Sequence, residues 1–150
     1  MALSILQVAK ALGELSGWKR SNLELQKMAY MAEMIYLGRT GLPLTDSNFQ
    51  AWDRGPVNPD LYHWAKMFGS QPVPASFFKH IAPVASDGVE MKAIRDAFKP
   101  MAKMSPWRMV DLTHQANGAW AEYYEPRKRG VVIPKSRIRA EYDVRVTEED

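Results

Sequence analysis

Cysteine is absent from the 150 residues, which excludes disulfides and thiolate metal sites and fits a reducing cytoplasm. Histidine is scarce: His63, His80 and His114 show no close ligand spacing and no HExxH pattern, so no zinc site or other metal is expected. No stretch approaches the ~20 consecutive apolar residues of a membrane span. Met1 to Gly17 has neither a basic leader nor a long apolar core, so the chain is expected to be soluble, cytoplasmic and without a membrane partner. Gly38, Gly41, Gly55 and Gly69 are scattered and match neither the Walker nor the dinucleotide-binding spacing, so no phosphate-binding loop and no cofactor is expected. Internal repeats and low-complexity linkers are also missing. What remains fits one domain over 1–150, a size that buries roughly 68–70% of its unfolded surface.

What is present begins with a helix. Between Leu23 and Leu37 only Glu24, Gln26, Lys27 and Glu33 are polar, and at ~100° per residue they fall into two narrow strips on opposite sides. One apolar face carries Leu25, Met28, Ala29, Ala32, Ile35 and Tyr36, the other Leu23, Tyr30, Met34 and Leu37. A helix apolar on nearly all sides is buried, so the fold class expected is mainly α with a small β element, a compact helical domain around a central buried helix of about residues 22–37. Ser21 and Glu24 form a capping box, and Gly38 is the kind of residue that ends a helix in a left-handed turn.

Around it the spacing predicts a packing helix through Ile5, Val8, Ala9, Leu12 and Leu15, and a loop anchored to the core by Trp18. Phe49 to Trp52 alternates as a short extended segment, Asp53 to Pro56 form a turn, and Asn58, Pro59 and Asp60 open a helix as cap, first residue and dipole partner. The proline-rich run after Gly69 is expected to be loop or short extended pieces around Phe77, Phe78 and Ile81. Val84 to Met91 is expected as a small hairpin about Asp87–Gly88, followed by a helix over Glu90 to Phe98 disturbed by Pro100. Ser105 and Pro106 open another helix toward His114, and Trp120 to Tyr124 is a helical turn. Arg127, Lys128, Arg129, Lys135, Arg137 and Arg139 precede any further acid until Glu141. Residues 126–150 therefore read as a basic extension, with Ile138 and Tyr142 holding a last short helix and a frayed acidic tail over Thr147 to Asp150.

Catalytic constellations are weak. Ser105, Asp111 and His114 invite a hydrolase triad, but no GxSxG elbow surrounds Ser105 and its position suits a helix cap. Glu24 and Glu33 project to opposite sides, while Asp53 and Asp60 have local turn and dipole roles, so no separated carboxylate pair stands across a cleft. No catalytic residue is expected, and the chain reads as a non-enzyme.

Candidate partner-binding residues are Lys27, Trp52, Arg54, Tyr62, Arg127, Lys128 and Arg129. Each has a bland counterpart. Lys27 is expected to pair with Glu24 one turn earlier, or else to stand at a groove mouth. Arg54 can stack on Trp52 or fork onto a carboxylate, whereas at an exposed rim the same residues make a hot spot. The basic segment can contact nucleic-acid phosphates, steer an acidic protein, or simply be solvated surface.

LQKMAYMAE, then GLPLTDSNFQAWDRGPVNPDLYHWAK, then MVDLTHQANGAW together resemble the core signature of the Panacea domain, the SocA-like antitoxin family, which also shows Leu-Thr-His followed by Trp. The resemblance runs from roughly Val8 to Trp120, with the order and spacing of the pieces intact. It implies an antitoxin that neutralises a cognate toxin protein by direct binding, and the SocA branch is similar to a proteolytic adaptor that presents its toxin to the ClpXP protease. Neither role needs catalysis in this chain. The rival readings are a DNA-binding autorepressor, in keeping with the net charge of +3, and an enzyme of small-molecule metabolism.

Overall fold

The structure, a computed structural model, describes residues 2–149. Its centre is α2 (Asn22–Thr40), capped at Ser21 by a complete capping box with Glu24. The expected two-faced helix is there, and its polar residues are inside as well: Glu24, Gln26, Lys27 and Glu33 are all buried. Around it stand α1 (Ile5–Leu15), α4 (Val89–Met101), α5 (Pro106–Thr113) and α7 (Lys135–Glu149). Each turns its apolar stripe to α2: Val8, Ala9 and Leu12 from α1, Ile94, Ala97 and Met101 from α4, Met109 from α5, and Ile138 from α7.

The small β element is a three-stranded antiparallel sheet, ordered β2 (Gly55–Val57), β1 (Phe49–Trp52), β3 (Val132–Ile133). Trp52 pairs with Gly55, so Asp53 and Arg54 alone make the turn between β1 and β2. Phe49 pairs with Ile133, and both side chains are fully buried. Two helices complete the frame. α3 (Pro59–Ala65) starts at Asn58, whose side chain accepts from the backbone N–H groups of Asp60 and Leu61. α6 (Ala119–Tyr123) is short.

Several sequence expectations are corrected. Gly38 does not end the central helix, which runs on to Thr40 and closes at Gly41 in the left-handed conformation. Gly38 is instead the crossing point of α7: a Cβ there would lie 2.0 Å from the Tyr142 ring. Val84 to Met91 forms no hairpin, because Met91, Ile94 and Ala97 follow helical spacing and pack toward α2, so α4 already begins at Val89 and continues past Phe98 through Pro100 to Met101. Within the proline-rich run Ala75–Phe78 is a 3-10 turn, with Phe78 stacked on Trp18 at 5.8 Å. The last helix is not short. α7 carries 15 residues, continues through Thr147 and Glu148 without fraying to Glu149, and Asp150 lies outside the described residues.

Two buried carboxylates fasten α7 to the rest. Glu33 on α2 accepts from the backbone N–H groups of Leu44 and Thr45 and from the Thr45 hydroxyl, and is ion-paired with Lys135. Glu141 accepts from the Tyr30 hydroxyl at 2.7 Å and from the backbone N–H of Ala119 at 2.9 Å, and pairs with Arg145. A carboxylate leaves water only when its lone pairs find donors, and these two find theirs on segments far apart in the chain.

Candidate functional site

The β1–β2 turn is held from three directions. From α2, the Lys27 ammonium nitrogen donates to the carbonyl of Pro56 at 3.0 Å. From α6, the Trp120 indole N–H donates to the carbonyl of Trp52 at 2.7 Å. From the end of α6, the Tyr124 hydroxyl donates to the Asp53 carboxylate at 2.6 Å. Trp120 is itself stacked between His114 at 3.7 Å and Tyr124 at 4.5 Å. The three sequence motifs, distant along the chain, thus converge on one two-residue turn.

Gly55 makes that convergence sterically feasible. Its φ is +112°, and a Cβ there would stand 2.9 Å from the Thr113 hydroxyl and 3.0 Å from the Lys27 nitrogen. A side chain there would displace the Lys27 ammonium and the Thr113 hydroxyl, and would do so in a backbone conformation that favours glycine.

Lys27 does not pair with Glu24. Arg20 has taken that carboxylate, and its guanidinium also reaches the carbonyls of Met104 and Ala102, so the Lys27 side chain runs the other way, beneath the hairpin, where it is fully buried. Burial first, and the Arg54 charge second, lower its pKa from 10.5 to about 7. His114 is shifted down in the same sense, by burial and then by Lys27, and its Nε2 is buried without a partner. Two basic groups therefore sit under the turn, neither of them in an ion pair among the described residues, and the Asp111 charge only partly offsets the lowering at His114.

In front of the turn lies a cavity of about 400 Å³, lined among others by Leu23, Gln26, Trp52, Arg54, Tyr62 and Arg129. Gln26 fixes its back wall: the side-chain carbonyl accepts from the backbone N–H of Asn58 at 2.7 Å, and the amide donates to the carbonyl of Asn58 at 3.1 Å. This clamp binds α2 to the start of α3, and so places Tyr62 against Trp52, ring centres 4.9 Å apart and edge to face. Trp52 is 9% exposed, which makes it as much a part of the frame as of the cavity floor.

The candidate residues divide accordingly. Trp52, Arg54, Tyr62 and Arg129 share the cavity; Lys27 lies behind it, out of solvent; Arg127 and Lys128 are exposed and line no part of it. Arg54 does not stack on Trp52. Arg129 does, its guanidinium 4.3 Å from the ring centre, because the loop before β3 crosses above the indole while the turn points Arg54 outward. Within the C-terminal basic run Lys128 pairs with Glu125, Lys135 with Glu33 and Arg137 with Glu122, while Arg127, Arg129 and Arg139 are in no ion pair among the described residues. Ser105 caps α5 by accepting from the backbone N–H of Arg108 at 3.2 Å, while His114 is stacked on Trp120, so the hydrolase triad is not assembled. Gln26, Tyr124 and Trp120 were missed as site-building residues in the sequence; Gln26 and Trp120 stand within the first and third motifs, and Tyr124 lies just beyond the third.

The profile of the family described as "Antitoxin SocA-like, Panacea domain" matches residues 25–121. The chain belongs to the SocA-like Panacea family. The matched span starts within α2, contains the whole β1–β2 hairpin and ends within α6, so the Panacea match covers the three segments that meet at the turn, while Arg127, Lys128 and Arg129 lie beyond it. The chain is similar to a protein named Antitoxin SocA from Caulobacter vibrioides, with 28% identity over 109 residues, covering 67% of this chain and 57% of the relative. It thus spans less than two thirds of that relative's length. No solved structure matches the chain. Among the described residues no helix is long and apolar enough to cross a membrane.

Proposed function

We propose that this Panacea-domain protein is an antitoxin that neutralises a toxin protein by direct binding, and that the cavity before the β1–β2 turn is where the toxin docks. The observation that carries the reading is the convergence of the three motif segments on a turn that is rigidly held and still presents an exposed Arg54 beside a concave aromatic floor. A rigid turn loses little entropy when it is bound, and Trp, Tyr and Arg are the residues that dominate binding hot spots. The reading involves no catalytic step and no cofactor. Autorepression through DNA is less well supported, because Lys128, Lys135 and Arg137 of the basic run are held by the chain's own carboxylates, which leaves only Arg127, Arg129 and Arg139 outside ion pairs among the described residues.

The test is co-purification of the tagged protein with the product of the neighbouring reading frame. The wild type is expected to retain it through size exclusion as a complex, and Arg54→Ala to lose it with an unchanged circular dichroism spectrum. Retention of the partner by Arg54→Ala at full yield removes the cavity from the account. Following the partner's half-life in cells separates two modes of neutralisation: a shortened half-life that requires ClpXP marks delivery to the protease, and an unaltered one marks sequestration.

A further inference from the structure

The cavity is unbalanced in charge. Asp53 is the one carboxylate among its lining residues, and that group already accepts from Tyr124. Opposite it stand two guanidinium groups, Arg54 and Arg129, neither of them in an ion pair among the described residues. The neighbouring amides have no spare capacity for steering: Gln26 is taken up by Asn58 and Asn22, and the Asn22 amide donates to the carbonyl of Tyr62. Behind the wall Lys27 is buried and in no ion pair among the described residues, and the buried carboxylates Glu24, Glu33 and Glu141 are matched by Arg20, Lys135 and Arg145. The floor, by contrast, is apolar and aromatic, built from Leu23, Trp52, Val57 and Tyr62.

We infer that this cavity receives an acidic segment of the partner protein, with one carboxylate forked between Arg54 and Arg129 and an adjoining apolar side chain resting against Trp52 and Tyr62. The inference rests on the toxin-binding reading and adds the chemistry of what is recognised. Guanidinium groups offer paired, planar donors that match a carboxylate geometrically as well as in charge. A nucleic-acid backbone fits the same place poorly, since it needs a track of free cations, and here two are gathered at one concave spot over an apolar floor. The two arginines also have different origins. Arg54 sits on the turn at the heart of the matched family span, whereas Arg129 comes from the loop beyond residue 121 and is positioned by stacking on Trp52. Arg129 is accordingly assigned the role of selecting which acidic segment fits.

The experiment measures affinity for the purified neighbouring protein by calorimetry with wild type, Arg54→Lys, Arg129→Lys and the remote exposed control Lys79→Ala. Lysine keeps the charge and loses the fork, so each Arg→Lys variant is expected to bind about tenfold or more weakly, with unchanged melting temperature, and Lys79→Ala to bind as wild type. Changing the partner's acidic residues one at a time to their amides is expected to reveal one whose loss adds nothing to the loss in Arg54→Lys. Arg→Lys variants that bind within about twofold of wild type overturn the carboxylate assignment while leaving the toxin reading intact. A promoter DNA fragment that binds with the same dependence on both arginines overturns it in favour of phosphate. A wild-type protein that does not bind its neighbour at all removes the toxin reading and this inference with it.

Discussion

Replacing Lys135 by methionine is expected to destabilise the protein by about 3–5 kcal/mol, the usual consequence of leaving a buried charge without its partner. Glu33 is fully buried in the middle of α2, and Lys135 at the first position of α7 supplies the cation it faces. The other donors to Glu33 are the backbone N–H groups of Leu44 and Thr45 and the Thr45 hydroxyl. These solvate the carboxylate without neutralising it. The pair Glu33→Gln with Lys135→Met is therefore expected to recover a large part of the loss, because the amide keeps an acceptor for the backbone and carries no charge. Urea unfolding of the single and double variants measures this. A single-variant loss below about 1 kcal/mol, the range of exposed pairs, means that Glu33 is reached by water and that the pair does not fasten α7.

The second large effect is a pH dependence that belongs to Lys27. In the unfolded chain its amine has the ordinary value of 10.5; in the fold burial, and then the Arg54 charge, bring it to about 7. Between those two values the unfolded state binds a proton that the folded state does not, so stability contributed at this site rises with pH across the window and is constant below it. Relative to Lys27→Met, which cannot titrate, the wild type is expected to gain up to about 1.4 kcal/mol for each pH unit from 7 to 10. Stated the other way, acidifying from pH 10 to 7 weakens the wild type and not the variant, apart from titrations common to both. Parallel stability curves across that range contradict a neutral, buried Lys27. The methionine variant also leaves the Pro56 carbonyl without its donor, a constant offset that does not change with pH.

Much of the frame was legible in the sequence because it is local. The caps at Ser21 with Glu24, at Asn58 with Pro59, and at Ser105 with Pro106 are made by residues within one turn of each other, so spacing alone reveals them. The central helix was legible for the same reason: fifteen residues of nearly continuous apolar character, Leu23 to Leu37, allow only burial. Contacts made from within it to remote segments were not. Lys135 is 102 residues from Glu33, and Glu141 is 111 from Tyr30, so no periodicity reports either contact. Lys27 shows the cost of a local rule: Glu24 lies at the right spacing, but Arg20 on the preceding loop takes it.

For the candidate site the lesson is similar. Trp52, Arg54 and Tyr62 were readable as a group because one turn and one helix start carry them. Arg129 was readable only as part of a charge run, and the structure separates it from Arg127 and Lys128 by stacking it on Trp52. The same geometry decides which variant is informative. Trp52 accepts a hydrogen bond from Trp120 through its carbonyl, packs on Tyr62 and is nearly buried, so its replacement by alanine mixes lost binding with lost stability. Arg54 is exposed and its side chain makes no hydrogen bond or ion pair among the described residues, which makes it the cleaner probe.

The most direct test of the account is to express the neighbouring reading frame in bacteria alone, with the wild-type protein, and with Arg54→Ala, and to count surviving colonies. Killing by the neighbour, rescue by the wild type and failure of rescue by a folded Arg54→Ala are the results the account predicts. A neighbour that is harmless, or that kills equally in the presence of the wild type, contradicts it.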